Sequence, residues 1–97
     1  MGSYHSLLVD IGGTNLRYAY ANKKGISEEI ILSNISDQEI NKTLRSLLSD
    51  TQIKNTVIAA AGPRLGNKIE MTNRNVIIDG DSLGRKFKLV NSHVLND

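Results

Sequence analysis

The stretch "LVDIGGTNLRYAYA", residues 8–21, constrains this chain more than any other. Strand formers end in a carboxylate at Asp10. Gly12, Gly13, Thr14 and Asn15 interrupt them, and then Leu16, Tyr18 and Tyr20 alternate with Arg17 and Ala19. The alternation predicts a strand over Leu16 to Ala21, and the apolar run Ser6 to Asp10 predicts a buried strand before it. Two such strands must fold back through a tight tip. Glycines at that tip remove Cβ atoms, allow positive φ and let a ligand approach the backbone. Successive N–H groups there form a concavity for an anion, and Thr14 and Asn15 add side-chain donors. Asp10 ends the first strand, where it can hold a hydrated Mg²⁺, an ion that takes few carboxylates and keeps its waters. These parts suit a nucleotide phosphate. The pattern is not the Walker loop, which needs a lysine and a following helix. It is not the dinucleotide fingerprint either, because a strand follows where a helix would start.

The rest of the chain extends this frame. Asn22-Lys23-Lys24-Gly25 has hairpin-turn chemistry, so Ile26 to Leu32 is expected to return as a third strand. Ser36 to Asp50 is the best helix: Ser36 and Glu39 have capping-box spacing, and Ile40, Leu44, Leu47 and Leu48 make one apolar stripe. Thr56 to Ala61 is a short apolar run after a helix, which predicts a buried strand parallel to the first. Residues 62–67 form a turn-rich loop, with short strands expected at Lys68 to Thr72 and Val76 to Ile78. Asp79 to Arg85 holds a short helix, and Lys88 to Leu95 is the last strand. The fold class that follows is α/β: a mixed sheet that opens with an antiparallel meander, with helices packed on it.

Composition sets limits. A chain of 97 residues makes one small domain. With one Phe, three Tyr and no Trp, its core must come from Ile, Leu, Val and Ala. The absence of cysteine excludes disulfides and thiolate metal sites. A net charge of +2, carried without any long basic tract, gives no reason to expect a nucleic-acid partner. No apolar stretch could span a bilayer and no signal peptide is visible, so no membrane partner and a cytoplasmic location are expected. Met1-Gly2-Ser3 is left out of the fold argument. His5 and His93 have no partner at ligand spacing and receive no role.

Four stretches together carry a family resemblance. "LVDIGGTNLRYAYA" resembles the first phosphate-binding motif of the sugar-kinase, actin and Hsp70 superfamily, and bacterial glucokinase most of all. "VIAAAGP", "GNKIEMTN" and "HVLND" resemble, in order and spacing, that family's strand ending in Gly-Pro, its segment ending in Met-Thr-Asn and its strand ending in Asn-Asp. The resemblance covers Leu7 to Asp97. It implies a ribonuclease-H-like lobe of the actin-like ATPase type and a transfer of phosphate from ATP, with Mg²⁺, to the 6-hydroxyl of glucose. By position, Asp10, Gly12, Gly13, Thr14 and Asn15 would cradle phosphates, with Asp10 near the metal through water. Asn96, Asp97 and Asn73 would meet the sugar, and Asp97 would be the general base. An aromatic residue often follows Met-Thr-Asn in the family, whereas Arg74-Asn75-Val76 stands here.

The family's chain is much longer and closes a cleft between two lobes. The expectation is therefore a single N-terminal lobe over residues 1–97, with the second lobe absent and little activity alone. Two alternatives stand beside it. One is a non-catalytic association module, or a half-kinase that needs a partner chain, because removing a lobe exposes apolar surface. The other is a different hexose or amino-sugar kinase of the same superfamily.

Overall fold

The computed structural model describes residues 4–97. Strand β1 (Ser6–Ile11) runs up to the glycine tip, and β2 (Leu16–Asn22) runs back antiparallel, with Asp10 opposite Arg17 and Ile11 opposite Leu16. The short strands β3 (Gly25–Ile26) and β4 (Ile30–Leu32) both pair with the outer edge of β2. On the other side of β1 lies β5 (Asn55–Ala60), parallel to it, and beyond that β9 (Asn91–Asn96), parallel to β5. The main sheet therefore has the order β3-β2-β1-β5-β9, with β4 also on β2. A second sheet of three short strands, β6 (Arg64–Leu65), β7 (Lys68–Glu70) and β8 (Ile77–Asp79), follows β5.

Helix α1 (Asp37–Leu48) starts where the capping box places it. The Ser36 hydroxyl accepts from the Glu39 N–H at 3.2 Å, and the Glu39 carboxylate accepts from the Ser36 N–H at 3.0 Å. Its buried stripe is Ile40, Leu44 and Leu48. These side chains join Leu7, Val9, Ile11, Leu16, Ile58, Ala60 and Val94 from the main sheet, and Ile69 and Ile78 from the small one, in a single apolar core. Thr56, a buried polar side chain in that core, donates to the Leu7 carbonyl at 2.9 Å.

The strands bury alternate residues, so the core occupies only one face of the main sheet. The register puts Ile31, Arg17, Asp10, Ala59 and Leu95 in one row on the opposite face, with Ala19, Leu8, Val57 and His93 in the next. Of this face, Ile31 and Leu95 are about half exposed.

The structure departs from the sequence reading in several places. The third strand, expected as one piece, is broken after Ile26. Ser27 turns its hydroxyl onto the Tyr20 N–H at 2.9 Å, in place of a backbone carbonyl, and the chain then loops out over Glu28 and Glu29. The last strand starts at Asn91, three residues later than expected. Helix α2 (Gly80–Lys86) ends with Lys88 in the left-handed region (φ 55°), and the Leu89 N–H is bonded back to Gly84 at 2.9 Å. β6 extends the expected ribbon to three strands, and α1 stops at Leu48 rather than Asp50.

Candidate functional site

β1, β5 and β9 are parallel, and their carboxyl ends lie side by side. Ligand sites of open α/β sheets sit at such ends. Here the sheet brings Asp10 and Asp97 together. Asp97 follows β9, its N–H bonded to the Ala60 carbonyl at 3.0 Å, and its side chain falls on the same face as Leu95 and Asp10. Burial pushes the Asp10 carboxyl above its ordinary value of 3.8. The hydrogen bond and the negative charge of Asp97 push it the same way, and the positive charge of Arg17 opposes them. Asp10 Oδ1 is sealed from solvent and has no hydrogen-bond donor. An anionic oxygen left without a donor suits a cation or a cation's water, so the residue fits the Mg²⁺ role that its position implied. Among the described residues no cluster of three or more His, Asp or Glu could hold a metal, so a cation here would rely on water and phosphate oxygens.

The tip itself is open. Gly12 and Gly13 both lie outside the left-handed region, so the positive φ that glycine allows is not used here and backbone strain does not explain them. A Cβ on Gly13 would meet nothing within 4 Å, and one on Gly12 would meet only the Asn15 carbonyl at 3.7 Å. The fold has no internal use for either glycine; the space they leave faces outward. The Gly12 N–H closes the turn on the Asn15 carbonyl at 2.9 Å. The Thr14 carbonyl accepts from the Ile35 N–H at 3.0 Å, and Asn15 Oδ1 accepts from the Asn34 N–H at 3.3 Å. The Thr14 hydroxyl is exposed, and Asn15 keeps its amino group as a donor.

The remaining expected residues stand at the same end. The Asn96 amino group donates to the Gly62 carbonyl, which leaves the amide oxygen as an acceptor for a hydroxyl. Gly62 is a structural glycine: a Cβ there would lie 2.2 Å from the Glu70 carbonyl oxygen. Asn73 is exposed in the turn between β7 and β8.

Sequence reasoning missed two residues. Asn67 presents its amide to the outer edge of β9 like one residue of a neighbouring strand. It accepts from the Val94 N–H at 2.9 Å and donates to the Ser92 carbonyl at 2.7 Å. Arg74, the residue that departs from the family pattern, is buried and donates to the Gly12 carbonyl at 3.0 Å. Both contacts join residues distant in sequence; Asn67 gave no local signal, and Arg74 showed only as a departure from the family pattern.

With this geometry in view, the family model for glucokinase matches residues 7–97. The chain belongs to the glucokinase family. It is 30% identical over 95 residues to the glucokinase of Chromobacterium violaceum, covering 94% of this chain and 27% of that protein. To the glucokinase of Neisseria meningitidis serogroup B it is 28% identical over 98 residues, covering 97% of this chain and 30% of that one. The crystal structure of a glucokinase from an Antarctic psychrotroph superposes with a TM-score of 0.69 at 27% identity, over 95% of this chain and 32% of that chain. The fold is thus that of the actin-like sugar kinases. This glucokinase-family chain spans about 30% of the length of the curated relatives it matches. No helix among the described residues is long and apolar enough to cross a membrane.

Proposed function

We propose that this chain is the N-terminal lobe of a kinase that transfers the γ-phosphoryl group of ATP to the 6-hydroxyl of glucose or a related hexose. One observation carries the reading: Asp10, with an orphaned buried oxygen, stands beside Asp97 at the foot of a glycine tip. Phosphoryl transfer needs positioning and charge stabilisation more than covalent chemistry from the protein. The N–H groups that follow Gly12 at the tip bind the phosphates, and the Thr14 and Asn15 side chains add donors. Asp10 would hold Mg²⁺ through water, and the ion would neutralise charge on the phosphate oxygens. Asn96 and Asn73 orient the sugar. Asp97, which adjoins Asp10, accepts the proton of the attacking hydroxyl.

The other half of the cleft belongs to a second lobe. The test is a chimera that joins this chain to the complementary part of the Chromobacterium violaceum glucokinase. ATP-dependent glucose phosphorylation by the chimera, absent from either piece, is the expected result. A folded chimera without activity on glucose or other hexoses would refute the reading.

A second reading rests on the open sheet face, which exposes Ile31 and Leu95 and carries a hollow of about 270 Å³ lined by Leu8, Ala19, Ile26 and Val57 together with Asp10, Arg17 and Glu29. An uncovered apolar face drives association. Concentration-dependent dimerisation without nucleotide supports it, and a monomer throughout a sedimentation series excludes it.

A further inference from the structure

The Arg74 guanidinium is almost sealed from solvent, its side chain 7% exposed, yet it lies on a turn between two very short strands. A buried cation needs a full set of acceptors. Arg74 Nε donates to the Gly12 carbonyl at 3.0 Å. Its Nη1 donates to the Ile35 carbonyl at 2.9 Å and to Asp37 Oδ1 at 3.0 Å. The second oxygen of Asp37 accepts from the Asn75 N–H at 3.1 Å. Asp37 thus grips the turn at residues 74 and 75, on the side of Asn73 that leads into β8. The loop before α1 completes a ring, because the Ile35 N–H is bonded to Thr14 and the Asn34 N–H to Asn15.

We infer that Arg74 is a positioning residue that joins the phosphate tip and the Asn73 turn into one rigid unit. The inference rests on the functional reading above for what the two loops bind, but the mechanical link is independent of it. A planar fork with two donors aimed at two carbonyls and a carboxylate is what only arginine supplies; lysine offers a single point charge. Gly12 is gripped through its carbonyl while its N–H closes the tip. Setting the Gly12 peptide plane therefore also sets the direction of the N–H groups that follow. A shift in either loop must pass to the other through Arg74.

Amide hydrogen exchange on the chain itself tests the link. In Arg74→Met, exchange at Gly12, Ile35 and Asn75 should quicken by about tenfold or more, the scale of losing a charged hydrogen bond, while Ile58 in β5 stays as protected as in the wild type. Arg74→Lys should loosen Gly12 and Ile35 but keep much of the Asn75 protection. Asp37→Asn, nearly isosteric, serves if Arg74→Met fails to fold, and should loosen Asn75 and Gly12 together. Protection of Gly12 unchanged in these variants, or changed only in step with Ile58, would overturn the inference. Titration with Mg·ADP separates this question from the functional reading. Tip amides that shift in the wild type and need about tenfold more nucleotide in Arg74→Met support the positioning role, and equal affinities contradict it. A wild type that shows no shift counts against the kinase reading, and the exchange data then decide the link alone.

Discussion

Replacing Gly13 by alanine should separate stability from function. The added methyl meets nothing within 4 Å, and the residue lies outside the left-handed region. The folded state therefore gains no clash, while the unfolded chain loses freedom, which favours folding by about 0.4–1 kcal/mol. In a domain of this size that raises Tm by roughly 2–6 °C. Gly62→Ala provides the contrast. Its Cβ would lie 2.2 Å from the Glu70 carbonyl oxygen and 2.9 Å from two further backbone atoms, none of which can rotate away. A cost at or above the upper end of overpacking, about 3 kcal/mol, is expected, a large share of the whole stability of so small a domain. In the chimera, Gly13→Ala should raise the KM for ATP by about 10–100-fold, because the methyl occupies the path by which phosphate reaches the backbone N–H groups. Thermal melts and ATP kinetics on the same samples give both numbers. A Gly13→Ala chain that unfolds, or one that binds ATP as the wild type does, would refute the assignment of the tip.

Other outcomes follow from the same geometry. The raised Asp10 carboxyl makes the folded state bind its proton more tightly than the unfolded chain does. Stability from this group is complete below pH 3.8 and lost as pH rises through the higher folded value. Asp10→Asn should therefore melt higher than the wild type at pH 7 while abolishing Mg-dependent activity in the chimera, and the melting difference should vanish in acid. Ser36→Ala removes the cap of α1 and should cost about 1 kcal/mol by urea unfolding. Leu44→Ala, at the centre of the buried stripe, should cost about 2–5 kcal/mol in the same assay. Ile31→Glu on the open face should abolish any self-association seen by sedimentation without lowering Tm.

The legible parts of the fold were those fixed by local rules. The capping box located the start of α1, and the alternation of Leu16, Tyr18 and Tyr20 located β2. The break at Ser27 was hidden because Ile26 and the run Ile30 to Leu32 read as one returning strand, while the serine hydroxyl that takes the place of a backbone group is a tertiary feature. The late start of β9 was hidden because a lysine, not a glycine, takes the left-handed position after α2. At the site, the string from Asp10 to Asn15 announced itself by its chemistry. The pairing of Asp10 with Asp97 did not, since it depends on β5 standing between β1 and β9. Arg74 was visible only as a departure from a family pattern. Its role required seeing Gly12, Ile35 and Asp37 converge on one guanidinium.

The most direct test of the account is the turnover of the chimera carrying Asp97→Asn, measured beside the parent. Loss of a general base predicts a fall in kcat of about 10²–10⁴-fold with the KM for ATP little changed. A kcat within a few-fold of the parent would contradict the placement of the reaction at the carboxyl ends of β1 and β9.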